Sequence, residues 1–168
     1  AETVTHFRQA APTSYQAAGQ LMSQGRFKEA LATSKLATEL DPDKPEHWRR
    51  LARIHLALQN PAATLNALKQ AGKFGSANKF TTQAIQLCDR LTKKYGTERL
   101  PLHGMIEVCH WQYRRGMNMD TRYTLFMIET EKPNAWRTAQ AEVKHLGLSG
   151  RLKRDAHGYL DLNFAGTK

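Results

Sequence analysis

Histidine and cysteine are the side chains of this sequence best suited to chemistry. Of the 7 histidines, His103 and His110 stand two helical turns apart, so one helix face could present both beside Cys109. A zinc site needs four ligands, and the others are missing. No glycine-rich phosphate loop, nucleophile elbow or Cys-x-x-Cys motif is present either. The sequence therefore predicts neither an enzyme nor a bound metal or cofactor.

The 2 cysteines, Cys88 and Cys109, could instead bond to each other. They lie at equal distances from a turn centred between Glu98 and Arg99, so an antiparallel pair of helices there would place them face to face. A disulfide closing this loop would contribute about 3 kcal/mol in the chain-entropy model. Such a bond would imply an oxidising compartment. The alternative is two buried, reduced core cysteines.

Composition describes a folded, basic protein. The chain has 168 residues, 40% of them hydrophobic, and its net charge of +10 comes from 25 Lys and Arg against 15 Asp and Glu. No apolar run reaches the roughly 18 residues that a membrane span needs. A basic balance favours nucleic acid, anionic lipid or an acidic protein. Because the basic residues are scattered among acids and no RNA-reading motif is visible, nucleic acid is not the expected partner.

The chain begins at Ala1 without an initiator methionine. Such a start is expected of a trimmed chain or of a mature end left after a leader peptide is removed. Together with the disulfide, it predicts a periplasmic or otherwise exported location. A cytoplasmic or organellar location is the alternative.

Turn residues divide the first half of the chain into helices. Residues 1–10 are expected to form an arm or a short helix, since Pro12 should interrupt any helix passing through it. A first hairpin is predicted within 11–44 with its turn at Gly25, and a second within 45–76 with its turn at 59–61.

Beyond residue 76 the helical pattern continues less regularly. Residues 77–150 are predicted to form degenerate helical hairpins and 151–168 a tail or cap. One apolar stripe runs from Phe80 to Tyr95 and a second from Leu102 to Tyr113. A short fifth helix is expected around Tyr123, Phe126 and Met127. A sixth is marked by Trp136, Ala139, Val143 and Leu146. Residues 156–164 alternate weakly, which fits either an extended tail or a capping segment.

The two hairpins repeat with a period of 34 residues, as shown by the pairs Ala18 with Ala52, Leu31 with Leu65, and Ala37 with Ala71. The matching positions of the first unit are Tyr15, Ala17, Ala18, Leu21, Gly25, Phe27, Ala30, Ala37 and Pro42. Those of the second are Trp48, Leu51, Ala52, Leu65, Leu68 and Ala71. This pattern resembles the tetratricopeptide repeat, clearly over residues 11–75. The second unit departs from it at Gln59, Thr64 and Ser76.

The resemblance implies an all-α fold, a right-handed superhelical stack of antiparallel helix pairs. In this family the first helices of successive pairs line a concave groove that binds a segment of another protein. The matched groove positions here are Tyr15, Gly19, Met22, Arg49, Arg50, Arg53 and Leu56. Arginines on one helical turn favour an acidic segment or a chain-terminal carboxylate, because guanidinium pairs bidentately with carboxylate. A solvated basic helix face is the alternative.

The predicted function is therefore that of an adaptor or assembly factor that binds another protein through this groove. A bacterial envelope, secretion or pilus-type assembly is the expected setting. The alternative is a structural subunit of a large complex, whose basic surface contacts neighbouring proteins or RNA.

Overall fold

The computed structural model describes residues 2–97, 99–135, 137, 138, 141, 152–154 and 160–162, with side chains described for 10–97, 99–135, 137, 138 and 141. It is all-α apart from one short pair of strands, which confirms the predicted fold class at that level. The chain divides into two compact units, Ala1–Arg99 and Leu100–Lys168. This division falls inside the predicted run of degenerate helical hairpins, 77–150.

Unit 1 is built from helices that pack in chain order. In the described part of the chain its helices are α1 (Glu2–Ser23), α2 (Phe27–Leu40), α3 (Pro45–Ala57), α4 (Pro61–Phe74) and α5 (Lys79–Tyr95). Helix α1 packs against α2 and α3 against α4, while α2 contacts α3 and α4 contacts α5. Helix α1 also contacts α3. Helices α1 and α2 thus form one hairpin and α3 and α4 a second, with their turns at 24–26 and 58–60.

Pro12 does not interrupt α1, contrary to the sequence expectation. The helix runs without a break from Glu2 to Ser23 with Pro12 inside it. A proline in a helix removes one backbone hydrogen bond at a cost of about 3 kcal/mol. Pro12 is exposed, while its neighbour Ala11 and the later Ala18 are fully buried. The ring therefore lies on the side away from the core, and burial of the apolar side offsets the lost bond.

The turn of the first hairpin depends on one glycine. Gly25 has a φ of +74°, a left-handed conformation that glycine adopts without steric cost. Its N–H donates to the Met22 carbonyl at 2.9 Å, and the Arg26 N–H donates to the Leu21 carbonyl at 2.9 Å. These bonds satisfy the last carbonyl groups of α1 and direct the chain into α2.

The turn of the second hairpin repeats this bonding residue for residue. Gln59, 34 positions after Gly25, has a φ of +65° and donates its N–H to the Leu56 carbonyl at 2.9 Å. The Asn60 N–H donates to the His55 carbonyl, also at 2.9 Å. Gln59 therefore adopts the left-handed conformation of a glycine position, which explains how the departure from the repeat pattern is accommodated.

Asparagine and proline side chains begin the later helices. The Asn60 side chain accepts a hydrogen bond from the Ala63 N–H at 3.1 Å, and the Asn78 side chain accepts one from the Thr81 N–H at 2.8 Å. Pro45 and Pro61 occupy first helical positions, where a missing N–H costs nothing. Local sequence thus sets the starts of α3, α4 and α5.

Unit 2 has a helical hairpin and, in its described part, one strand pair. Its helices are α6 (Leu102–Arg114), α7 (Asn118–Glu131) and a short 3-10 helix (Pro133–Ala135). Strands β1 (Leu152–Arg154) and β2 (Leu160–Leu162) pair antiparallel, with Lys153 opposite Asp161. Helix α7 packs against α6, the 3-10 helix and β2.

Three sequence expectations concern unit 2: a fifth helix, a sixth helix and the tail. The short fifth helix is α7, which spans 14 residues and buries polar as well as apolar side chains. Within this core the Thr124 hydroxyl donates to the Gln112 amide oxygen at 2.7 Å. The predicted sixth helix, with Trp136, Ala139, Val143 and Leu146, lies outside the described residues. The extended alternative for the tail is present at β2.

Candidate partner-binding face

The predicted groove residues divide into a buried pair and a set at the surface of α1 and α3. Met22 and Leu56, which occupy matched positions of the two repeats, are only 6% and 0% exposed. Both are core residues beside their turns, so their assignment to the groove surface is wrong. The others are all half-buried: Tyr15, Gly19, Arg49, Arg50 and Arg53. We call these five residues the α1–α3 face.

Arg50 links the two helices of this face. Its Nη1 donates a hydrogen bond to the backbone carbonyl of Tyr15 at 2.6 Å, across 35 residues of sequence. Its Cζ lies 3.6 Å from the centroid of the Tyr15 ring, a cation–π contact. The guanidinium is therefore held in place by a backbone acceptor and an aromatic face of α1.

A glycine of α1 provides the space for this guanidinium. A Cβ built on Gly19 would lie 2.8 Å from Nη1 and 3.1 Å from Cζ of Arg50. Real Cβ atoms essentially never come within 3.0 Å of a neighbouring atom, so the contact with Nη1 would force the guanidinium to move. Because Gly19 has no side chain, Arg50 can lie directly against the backbone of α1.

His47 completes the contact on the other side of the tyrosine. Its ring centroid is 5.1 Å from that of Tyr15, with an angle of 33° between the planes. His47 stands one turn before Arg50 on α3, so Tyr15 contacts both residues. The histidine is 5% exposed, and its buried Nδ1 has no hydrogen-bond partner among the described residues.

The face carries the positive charge of three arginines, and two of them, Arg49 and Arg50, form no ion pair with an acid among the described residues. Burial lowers the pKa of Arg50, and Arg53 lowers it further, while Tyr15 acts in the opposite direction. Among the described residues Arg49 forms no hydrogen bond or ion pair. Glu46, one turn earlier on α3, forms no ion pair with either Arg49 or Arg50. A ligand carboxylate could therefore pair with the Arg49 and Arg50 guanidinium groups without displacing an acid from either of them.

The arginines of this face lie in a long stretch of sequence without acids. No Asp or Glu stands between Glu46 and Asp89, a stretch covering nearly all of α3, the whole of α4 and the first part of α5. The basic residues within it are Arg49, Arg50, Arg53, Lys69, Lys73 and Lys79. Basic and acidic residues are mixed in the chain as a whole but not here. The acid-free stretch is visible in the sequence. The description of basic residues as scattered among acids holds for the whole chain and did not identify it.

The contact partners of Arg50 could not be read from the sequence with the same ease. Tyr15 and Arg50 are one residue more than a repeat period apart, which is consistent with neighbouring positions on successive first helices. That spacing gives no sign of the ring stack, of the role of Gly19 or of the buried His47. These follow only from the packing of α1 against α3.

The predicted disulfide does not form. Cys88, on α5 of unit 1, and Cys109, on α6 of unit 2, are both free and fully buried. Burial raises the pKa of each thiol to about 12, with Asp89 adding to the effect at Cys88 and a hydrogen bond to Thr64 opposing it. Each cysteine packs as a small core residue, and the boundary between the units falls between the two helices that the prediction paired.

The His and Cys side chains considered as metal ligands do not form a metal site among the described residues. There, no three His, Cys, Asp or Glu side chains lie close enough together to hold a metal ion. His103 is exposed while Cys109 is fully buried. None of the described helices combines the length and apolar character required to cross a membrane.

No family model matches the chain, and no curated protein or solved structure matches it.

Proposed function

We propose that this protein is a binding adaptor or assembly factor, and that its α1–α3 face takes an acidic segment of another protein. The single observation that carries the proposal is the set of arginines on this face, of which Arg49 and Arg50 have no carboxylate partner among the described residues. Charge-assisted hydrogen bonds from guanidinium to carboxylate are stronger than neutral ones. We place no covalent step at this face.

The helix packing supports the same proposal. The matched turns and the order of contacts from α1 to α5 are those expected if the helix pairs stack as in a tetratricopeptide solenoid. We infer that the stack is right-handed and that α1 and α3 lie on its concave side. The exported setting stays a prediction, without the support that a disulfide would have given it.

The proposal is tested with a labelled peptide of alternating Glu and Gly, and with the same peptide carrying Gln for Glu. Fluorescence anisotropy should show binding of the acidic peptide only. Affinity should fall as salt is raised from about 50 to about 200 mM, because exposed charges are then screened. The double variant Arg49→Glu, Arg53→Glu should weaken binding at least tenfold while leaving the helical circular dichroism unchanged.

A matched control lies on α4. Lys69 and Lys73 have the same four-residue spacing as Arg49 and Arg53, and both lysines are exposed. Lys69→Glu, Lys73→Glu changes the net charge equally but does not touch the α1–α3 face. Binding that falls equally in both double variants would show attraction to the overall charge and would overturn the proposal. An oligonucleotide that binds more tightly than the peptide would favour the alternative, a structural subunit contacting RNA.

A further inference from the structure

We propose that Gly19 is a positioning residue, whose missing side chain keeps Arg50 fixed on Tyr15 in the orientation that takes a carboxylate of the partner. The inference rests on the proposed function and goes beyond it, since it assigns the specificity of the face to a residue that bears no charge. Its basis is the geometry of α1 against α3.

The first step is that glycine at this position has no role in the helix itself. Gly19 lies inside α1, where glycine is less favourable than alanine. Its φ is not in the left-handed range, so no turn requires it. What it provides is space: the nearest atoms to a methyl carbon placed on Gly19 all belong to the Arg50 guanidinium, at 2.8, 3.1 and 3.3 Å.

The second step concerns which group would move if that space were filled. The obstructing atoms are the far end of a long, flexible side chain and not backbone. A methyl group at residue 19 would therefore displace the guanidinium and leave α1 in place. Arg50 would lose its hydrogen bond to the Tyr15 carbonyl and its position 3.6 Å from the ring centroid.

The third step is that a held guanidinium binds better than a mobile one. An arginine that is already ordered loses less conformational freedom when a ligand pairs with it. Arg50 has five N–H donors, and its one hydrogen bond to the described residues, from Nη1 to the Tyr15 carbonyl, uses one of them. Donors therefore remain for a carboxylate, and Gly19 and Tyr15 fix where they are presented.

The test is Gly19→Ala, assayed with the alternating Glu and Gly peptide. We expect affinity to fall about tenfold while the helical circular dichroism stays unchanged, since only a side chain is displaced and alanine favours the helix. In a background of Arg50→Gln the same change should have no effect on affinity, because the group that it displaces is gone. A loss of equal size in both backgrounds would overturn the inference, as would unchanged affinity of Gly19→Ala.

Gly72 supplies the matched control. It lies inside α4, and a Cβ built there meets nothing within 4 Å. Gly72→Ala makes the same change of side chain and helix propensity, and it should leave affinity unaltered. If Gly72→Ala weakened binding as much as Gly19→Ala, the loss of affinity would come from the change in helix propensity and not from displacement of Arg50.

A second measurement separates this inference from the proposed function. In the free protein the Tyr15 ring current should shift the Arg50 side-chain protons upfield in nuclear magnetic resonance spectra. Gly19→Ala should abolish that shift and Gly72→Ala should preserve it. If the wild-type protein bound no acidic peptide, the proposed function would fail while the shift still reported the positioning. A shift that persists in Gly19→Ala would refute the positioning itself.

Discussion

The two hairpins of unit 1 have the same backbone bonds at their turns but different side chains at the matched positions. Gly25 and Gln59 both have positive φ, and each donates its N–H to a carbonyl three residues earlier. At the next position Arg26 makes no cap, whereas the Asn60 side chain caps α4. The comparison shows that the repeat preserves a backbone geometry, which different residues can satisfy.

The hairpins also differ where their helices cross. Ala30 and Thr64 are matched and both 0% exposed. Thr64 uses its position to donate its hydroxyl to the Asn60 carbonyl at 2.8 Å. The second hairpin thus accommodates a slightly larger, hydrogen-bonded side chain where the first has a methyl group. How large a side chain this buried position accepts can be measured by substitution.

The largest effect is expected from overfilling the crossing of the first hairpin. Ala30→Leu should destabilise the protein by up to about 3 kcal/mol, because extra methylene groups at a fully buried position force neighbouring side chains and backbone to shift. Ala30→Thr should cost less than about 1 kcal/mol, since the matched position of the second hairpin already holds threonine. Urea unfolding followed by circular dichroism measures both. Equal costs for Leu and Thr would mean that the two crossings are not alike.

A second prediction concerns the end of the second hairpin. A Cβ on Gly75 would lie 2.8 Å from Cγ of Pro45, and a proline ring cannot rotate away. Gly75→Ala should therefore cost about 2 kcal/mol. The control Gly72→Ala has open space and should stabilise by about 0.5 kcal/mol. In the first hairpin the positions that correspond to Gly75 and Pro45 are occupied by Asp41 and Ala11, so this glycine–proline pair occurs only in the second hairpin. A stabilised Gly75→Ala variant would show that this contact is not a constraint.

The turns could be predicted from the sequence because their requirements are local. Gly25 supplies a positive φ, Asn60 supplies a cap, and Pro45 supplies a first helical residue without an N–H. Each is a property of one residue type in one backbone position. These signals need no knowledge of the rest of the fold.

The features that the sequence did not predict correctly are not local. They depend on contacts between residues that are far apart in the sequence. Pro12 stays within α1 because the helix gains more from burial than it loses in one backbone bond. The Cys88–Cys109 prediction assumed that α5 and α6 form one hairpin, whereas the chain divides between them. The stack of Arg50 on Tyr15 requires knowing that Gly19 faces α3. Periodicity identifies helices, but it does not determine which helix each face meets.

A third prediction uses a histidine that only the second hairpin has at its turn. Burial, with a further contribution from Lys35, lowers the pKa of His55 from 6.5 to about 4. The unfolded chain therefore takes a proton near pH 6.5 that the folded protein does not take until about pH 4. Stability should be full above that window and fall as the pH drops through it. We expect a loss of about 1–2 kcal/mol, because the ring is partly exposed.

The matched residue of the first hairpin, Leu21, provides the control for this effect. His55→Leu should remove the part of the acid sensitivity that belongs to His55. Urea midpoints of both proteins at pH 7 and pH 4.5 measure the difference. If the variant lost as much stability as the wild type over this range, the titrating group would have to lie elsewhere.

The smallest effect is expected at the start of the second helix of each hairpin. Asn60→Ala removes the side-chain acceptor of the Ala63 N–H, 3.1 Å away, and should cost about 1 kcal/mol. Arg26 instead pairs with Glu29, a bond of 3.0 Å from Nε to Oε1 at the surface, so Arg26→Ala should cost less than about 0.5 kcal/mol. The backbone angles of the two residues are similar, with φ of −95° and −117° and ψ of 62° and 83°. Arg26→Asn should therefore cap α2 and stabilise the first hairpin by up to about 1 kcal/mol, as thermal unfolding can measure. A destabilised Arg26→Asn would show that the shared backbone geometry of the turns is not sufficient for a cap.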